Sequence, residues 1–425
     1  MRRSLLSLFF CATVGFCAMA QTAFGQEQAQ NQREVAKEAH FAVKPGQSLV
    51  VEKIKKDLAS TGSSSATSLP LWVYNVESSR DGNDYTGVMV GANPFTRSGK
   101  KNVSVKTYVV PLIIVTHRIA TNIDFTTGHI STTPGETTFD STAANVCLNT
   151  PNNVPSTLLA ESPILSAADF SFGSVSMGTT EYSDAFQRGN FWEALGANGT
   201  TDTYHMRLSP VRFLDPILIN VPSRYGLAGT TPLLFGPPPI CPPFGIIDIN
   251  WFDAYLDSTV LPALAAQGVS PANVPFFQLS NVVLASPVTD YFTCCIGGYH
   301  SWTSLPIQTY GVGDFDSSLF FIDAASQDTG ILSHEVDEWM DDPFGDNPVP
   351  AWGHVGQQSG CQNNLEVGDP LTGTEFPAVT MSNGFTYHLQ ELAFFSWFFG
   401  APSIGVNGWY SDNGTFVSDA GPPCQ

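Results

Sequence analysis

The segment 331–343 holds the residues whose types and spacing most clearly indicate chemistry. His334 and Glu338 are four residues apart, so on a helix their side chains lie on one face and reach a common cation. Glu335 offers a second carboxylate beside them. The apolar residues of the segment follow helical spacing and predict one buried stripe, formed by Leu332, Val336, Trp339 and Met340. The pattern therefore predicts a helix over 329–341 that presents a metal-binding face.

A second acidic run lies downstream, at 364–370. Its Glu366 lies 32 residues beyond His334, and Asp369 follows it closely. The pattern His334-Glu335-x-x-Glu338 resembles the HExxH helix of zincin metallopeptidases, and a later Glu with a nearby acid is similar to the gluzincin arrangement. The stretch 334–410 also resembles a set of secreted bacterial proteins. They share the HExxE helix, a Gly-Cys-Gln run, a Leu-Glu-Val-Gly-Asp run, and a Tyr-His-Leu-Gln run before a Phe-rich helix.

The resemblance implies a zinc site with four residues. His334, Glu338 and Glu366 would be the ligands, and Asp369 would orient His334 within the site. Glu338 stands where zincins have their second histidine. One imidazole and two carboxylates leave a divalent ion formally neutral, and a less positive ion acidifies its bound water less. We therefore expect a slow enzyme, a harder metal than zinc, or another histidine that restores the usual ligand set.

The resemblance also implies the catalytic roles. Glu335 would be the general base that takes a proton from water during hydrolysis of a peptide bond. Tyr387 or His388 would stabilise the oxyanion, and they are candidates by residue type alone. His388 is also the first candidate for a further metal ligand, ahead of His300 and His354.

Two other interpretations of these residues stay open. The first is a non-catalytic extracellular binding protein on a zincin-like scaffold, which would bind glycans or hold calcium with its acidic residues. The second is a glycan hydrolase that uses two carboxylates, although no pair with catalytic spacing is identifiable. The acids near His334 would then be an exposed helix face.

The elements around these residues predict an α+β fold. Short runs of β-branched and aromatic residues between Gly, Pro and Asn indicate strands from residue 69 onwards. The predicted organisation is a signal peptide (1–25), a flexible arm or pro-segment (26–68), a β-rich region (69–243), and a zincin-like domain with a mixed sheet and an active-site helix (244–425). In the last region we expect a helix at 251–267, a strand at 276–284 and an edge strand at 309–315.

The N-terminus and the cysteines indicate export. A basic start at Arg2 and Arg3 precedes a short apolar run, which is typical of a cleaved signal. Six cysteines follow the signal, and an even number in an exported chain favours disulfides. Their pairing stays open, but Cys294 and Cys295 are expected to bond to different partners, because a bridge between neighbours strains the backbone. The chain is expected to be secreted or periplasmic, with no stable membrane anchor.

The charge of the chain limits its partners. The formal net charge is −20. Such an acidic chain disfavours nucleic acid and anionic membranes as partners, and a protein or peptide substrate is expected instead. The oligomeric state is not predicted.

Overall fold

The structure is a computed structural model, and it describes residues 47–64, 67–96, 102–148, 150–196, 204–229, 243–318, 320–321, 324–353, 361–421 and 424. The predicted signal peptide, the arm up to residue 46 and His354 lie outside these residues. The fold is α+β, as the sequence predicts. The helices are α1 Gln47–Thr61, α2 Pro155–Ala160, α3 Tyr182–Asn190, α4 Ile249–Tyr255, α5 Leu261–Ala265, α6 Gly330–Asp341 and α7 Phe395–Phe399.

The strands are β1 Leu71–Glu77, β2 Asp84–Val90, β3 Asn102–Ile123, β4 Ile130–Asp140, β5 Ala168–Phe172, β6 Val175–Thr180, β7 His205–Phe213, β8 Ile217–Asn220, β9 Gly226–Gly229, β10 Phe244–Asp248, β11 Asn273–Ser280, β12 Val282–Ala285, β13 Gly298–Ser304, β14 Ile307–Phe315, β15 Pro348–Trp352, β16 Gln362–Asn364, β17 Glu375–Thr380 and β18 Thr386–Gln390.

One ten-stranded mixed sheet organises the molecule. Its order is β12-β10-β9-β3-β11-β14-β13, and β4, β7 and β8 also pair with β3. The strand β3 is the centre of this sheet, and it consists largely of β-branched residues that are buried on both faces. It pairs in parallel with β11. The predicted division at residue 243 therefore does not separate two sheets, because β3 precedes it and β11 follows it.

The helix α6 packs on the end of the sheet formed by β13 and β14. The apolar stripe predicted for it is buried, with Leu332 4 % exposed and Val336, Trp339 and Met340 fully buried. The strand expected at the sheet edge is β14, which instead lies second from the edge, paired with β11 on one side and β13 on the other. The strand at this edge of the sheet is β13, and it contacts α6 together with β14.

The helix and the strand expected after residue 244 are both present, but each is divided into two parts. The predicted helix at 251–267 is α4 and α5 joined by a π-helical segment, Leu256–Val260. The predicted strand at 276–284 is divided into β11 and β12. The division falls at Asn281, whose φ of 54° lies in the left-handed region.

The segment 47–61 differs from the flexible arm predicted for 26–68. It forms α1, whose Val51, Ile54 and Leu58 are buried against Trp302 of β13 and Phe344. These three apolar residues have helical spacing, but lysines and acids between them obscure it in the sequence. The arm therefore contains an element that packs on β1 and β2, next to Trp302 of the edge strand.

The cysteines differ from the prediction in one respect. Cys294 and Cys295 are paired with each other rather than with different partners, and Cys361 pairs with Cys424. The Cα atoms of Cys294 and Cys295 lie 3.0 Å apart, which places the two sulfur atoms together. Across the described ranges, no helix has the length and apolar character needed to cross a membrane.

Candidate metal centre

The polar face of α6 lies in a closed space between β13 on one side and β18 with the loop 364–371 on the other. His334, Glu335 and Glu338 occupy this face and are 8 %, 6 % and 3 % exposed. Two glycines, Gly298 and Gly368, let the backbone of the neighbouring elements approach the side chains of α6. A Cβ at Gly298 would lie 2.8 Å from Cγ of Glu335, and a Cβ at Gly368 would lie 2.6 Å from Cγ of His334.

The first group of donors, here called the His334 cluster, consists of His334, Glu338 and Asp369. His334 Nε2 lies 2.9 Å from Glu338 Oε1 and 3.1 Å from Asp369 Oδ1. On the other side of the ring, His334 Nδ1 lies 3.0 Å from Gln390 Oε1. The three donors are within the spacing that one metal ion can bridge.

Gln390 determines which nitrogen of His334 carries a hydrogen. The amide nitrogen of Gln390 donates to the carbonyl of Gly368 at 2.6 Å, so its oxygen must face the ring. His334 Nδ1 therefore donates a hydrogen to Gln390. In the neutral ring Nε2 then carries a lone pair. This lone pair faces two carboxylate oxygens, which can only accept hydrogen bonds. A positive charge is needed between them, either a proton on Nε2 or a metal ion.

The second group, here called the His300 cluster, consists of His300, Glu335 and Glu338. His300 Nε2 lies 2.9 Å from the backbone carbonyl of Asp342 and donates to it. His300 Nδ1 then faces Glu335 Oε2 and Glu338 Oε2, both 3.8 Å away. This repeats the arrangement at His334, with the outer nitrogen held by an acceptor and the inner nitrogen directed at two carboxylates.

Glu338 belongs to both clusters through its two oxygens. Its Oε1 is in the His334 cluster and also accepts the backbone N–H groups of Gly368 and Asp369, at 3.1 and 3.2 Å. Its Oε2 faces His300. The two imidazoles therefore lie on either side of one carboxylate.

Two carboxylate oxygens of the centre, Glu366 Oε2 and Asp369 Oδ1, are buried without a hydrogen-bond partner among the described residues, apart from the contact of Asp369 Oδ1 with His334 Nε2 at 3.1 Å. The other oxygen of each residue is satisfied, by Asn364 at 2.6 Å and by Gln362 at 2.8 Å respectively. Glu366 Oε2 lies 3.7 Å from His300 Nε2. Buried oxygens that accept no hydrogen bond are costly unless a cation contacts them.

The pKa shifts describe the same shortage of positive charge. Burial raises the pKa of Glu335, and it raises the pKa values of Glu366 and Asp369 well above the ordinary range for carboxyl groups. Burial lowers the pKa of His334, but the charge and hydrogen bond of Glu338 outweigh it, and the pKa rises to about 9. Burial also acts to raise the pKa of Glu338, but His334 and His300 outweigh it and the net shift is downward. Without an ion, His334 is therefore protonated, and a metal ion would replace that proton.

The types of donor atom suit a divalent metal ion, and their separations are close to those between the ligands of one. Bonds of 2.0–2.2 Å in a tetrahedron put ligand atoms roughly 3.3–3.6 Å apart. The separations within the two clusters, from 2.9 to 3.8 Å, lie on either side of this range. Each cluster offers one imidazole nitrogen and two carboxylates, and such mixed sets bind zinc and also harder ions.

The structure brings together most of the residues that the sequence singled out. His334, Glu338 and Asp369 are in one cluster, so Asp369 has the place of the third ligand that was expected for Glu366, while Glu335 and Glu366 lie around His300. The zincin resemblance implies that Asp369 orients the ring of His334. In the structure Asp369 does not contact Nδ1; it lies beside Nε2, on the same side of the ring as Glu338. Gln390 has the orienting position instead.

Tyr387 and His388 are not brought to the centre. Tyr387 is fully buried, and its hydroxyl donates to the carbonyl of Leu158. The prediction that it stabilises an oxyanion is therefore not supported, because it lies on the face of β18 opposite to Gln390. His388 shares the face of Gln390, but its Nδ1 contacts Asp328 at 2.5 Å and it belongs to neither cluster. His300, the less favoured alternative in the sequence, is the second histidine of the centre.

The sequence assigned no role to Gln362 and Gln390. Both stand in the runs that carry the family resemblance, so those runs were the available signal. Comparison with known families, with curated proteins and with solved structures found no match.

Proposed function

We propose that the protein is a metal-dependent hydrolase that binds a divalent ion, zinc in the first instance, at the His334 cluster. One observation carries the proposal. His334 Nε2 faces Glu338 and Asp369, and the hydrogen on Nδ1 is donated to Gln390 on the other side of the ring, so loss of the Nε2 proton leaves a lone pair directed at both carboxylates. A metal-binding histidine has this orientation, with one nitrogen held by a polar group and the other free to exchange its proton for a metal ion.

The proposal gives each residue of the centre a separate role. His334, Glu338 and Asp369 would hold the ion. The ion, when bound, would polarise a carbonyl and acidify a water molecule. Glu335 would take the proton from that water. Burial raises the pKa of Glu335 and thereby makes it a stronger base than an exposed carboxylate.

The edge strand β13 supports a peptide as the substrate. It lies beside the centre, and its outer side pairs with no strand among the described residues. An extended peptide can add to such an edge through main-chain hydrogen bonds. It would then run alongside α6, past Glu335 and Glu338. The resemblance to zincins favours the same substrate class.

A structural ion in a non-catalytic binding protein is the second candidate. The observation that favours it is burial, because Glu338 and Asp369 are 3 % and 0 % exposed. A structural metal site is closed, whereas a catalytic site keeps a position open for water or substrate. Activity on a peptide separates the two candidates, since both predict a bound ion.

The experiment combines metal analysis with a peptidase assay on the chain from residue 26. Wild type should contain a stoichiometric divalent ion and cleave an unfolded, fluorescently labelled protein. His334→Ala should lose both. Glu335→Gln should keep the ion and lose activity by at least about 10²-fold, because it removes only the proton acceptor. His388→Gln is the matched control, because His388 is in neither cluster, and it should keep the ion.

The outcomes distinguish the alternatives. A wild type that contains no divalent ion after incubation with zinc would contradict the proposal. A bound ion without hydrolysis of any peptide library would favour the structural ion in a binding protein. Equal activity of Glu335→Gln and wild type would remove Glu335 from the mechanism.

A further inference from the structure

The His300 cluster is not explained by one ion at the His334 cluster. His300 Nδ1 faces Glu335 Oε2 and Glu338 Oε2 at 3.8 Å, and the hydrogen of the ring is already donated to the carbonyl of Asp342. These distances are too long for hydrogen bonds and close to the ligand separations around a cation. An ion at the His334 cluster would leave this second nitrogen still facing two acceptors.

The number of carboxyl groups at the centre also favours a second cation. Four carboxyl groups converge there, those of Glu335, Glu338, Glu366 and Asp369, around the imidazoles of His300 and His334. When all four are ionised, one divalent ion balances only two of them, in a space where every carboxylate side chain is at least nine-tenths buried. Two divalent ions would bring the formal charge of the four carboxylates to zero.

The shared carboxylate provides the bridge between two ions. Glu338 Oε1 is fixed by the backbone N–H groups of Gly368 and Asp369 and lies in the His334 cluster. Glu338 Oε2 lies in the His300 cluster. A carboxylate that offers one oxygen to each of two ions holds them at the roughly 3.5–4 Å separation of dinuclear sites.

We propose that the centre binds a second divalent cation between His300, Glu335 and Glu338, and that this second ion inhibits the hydrolase. The inhibition rests on the proposed function. A carboxylate that binds a cation through its free oxygen is no longer available as a base for water. Glu335 is the proton acceptor in the hydrolysis and a ligand of the second ion. Activity should therefore be highest with one ion bound and should fall as the second site fills.

The experiment is a calorimetric titration of the metal-free protein with zinc alone. Wild type should bind two equivalents, and His300→Gln should bind one. Glutamine can still donate to the carbonyl of Asp342, so this variant keeps the outer hydrogen bond while it removes the inner nitrogen. His388→Gln is the matched control and should bind two. In the peptidase assay, wild type should rise and then fall with added zinc, and the fall should be absent in His300→Gln.

A second measurement does not depend on the folding of a variant. Two Mn²⁺ ions bridged by Glu338 should give a spin-coupled electron paramagnetic resonance signal in wild type at two equivalents. One equivalent bound to wild type, without coupling, would overturn the second site and leave the proposed hydrolase intact. No binding at all would overturn both. Two equivalents with activity that keeps rising would overturn the inhibition.

Discussion

The orientation of the His334 ring depends on a single neutral side chain. Gln390 contacts the ring nitrogen, the carbonyl of Gly368, and through its own backbone N–H the hydroxyl of Ser333 at 3.1 Å. These contacts fix β18 to the first turn of α6 and fix the amide at the same time. The ring of His334 is therefore held so that Nε2 is the nitrogen that faces Glu338 and Asp369.

Gln390→Leu is expected to lower zinc affinity by about 10–100-fold, because it removes the acceptor that holds His334 Nδ1–H. Gln390→Glu keeps an oxygen acceptor at that place and should bind zinc within about tenfold of wild type. The measurement is a competition titration with a chromophoric chelator, accompanied by a thermal melt of each metal-free variant. Wild-type affinity in Gln390→Leu would show that the amide does not orient the ring.

The residues of the centre were predictable from sequence to the extent that they lie close together along the chain. His334, Glu335 and Glu338 share one helical turn, and helical spacing is sufficient to place them together. His300 comes from a different element, and its place depends on how β13 packs against α6. No spacing in the sequence encodes that contact, so residue type alone could not rank His300 above His388.

At the scale of elements, α6 is buried on every side, as is its neighbour α3. Its apolar stripe faces the core, its acidic face lines the metal centre, and Asp337 and Asp341 face α3. Ser183 donates to Asp337 at 3.1 Å, and Gln187 donates to Asp341. Polar side chains of α3 thus donate to acids that an exposed helix would present to water, although Asp337 Oδ1 has no hydrogen-bond partner among the described residues. An acidic surface helix, the simplest alternative from the sequence, is therefore wrong.

The packing of α1 on β1, β2 and Trp302 is expected to contribute directly to stability. Ile54 is fully buried beside Trp302, so Ile54→Ala should lower the free energy of unfolding by about 2–5 kcal/mol. Leu49 on the same helix is 75 % exposed, and Leu49→Ala should change it by no more than about 0.5 kcal/mol. Urea unfolding followed by tryptophan fluorescence measures both. Equal midpoints for the two variants would show that α1 does not pack as described.

Periodic elements of the fold were predictable, and their neighbours in space were not. The helix at 330–341 and the strand at 307–315 follow from local patterns. The order of strands in the sheet does not, because β3 pairs with β11 across more than 150 residues. The buried run of β14 could equally belong to an edge or an interior strand, since both of its faces are covered.

At the scale of the whole molecule, the excess of acids is not confined to the surface. Of the titratable carboxyl groups away from the metal centre, Glu181 and Asp316 are both buried. Burial raises the pKa of Glu181 to about 7 and that of Asp316 to about 6. A group whose pKa is higher in the folded than in the unfolded chain binds a proton that the unfolded chain has already lost. Stability therefore falls as pH rises between the two values.

Glu181 allows this to be tested at one position. It precedes α3, and its Oε2 accepts the backbone N–H of Leu208 at 2.6 Å. Between its ordinary pKa of 4.5 and about 7, wild type should lose stability relative to Glu181→Gln, which stays neutral and does not titrate. The difference in unfolding free energy should grow by about 2–3 kcal/mol across this window and then stay constant. Urea unfolding in the presence of a chelator measures it, and contributions of the other acids cancel in the difference. A difference that does not change with pH would show that Glu181 ionises as easily in the folded protein as in the unfolded chain.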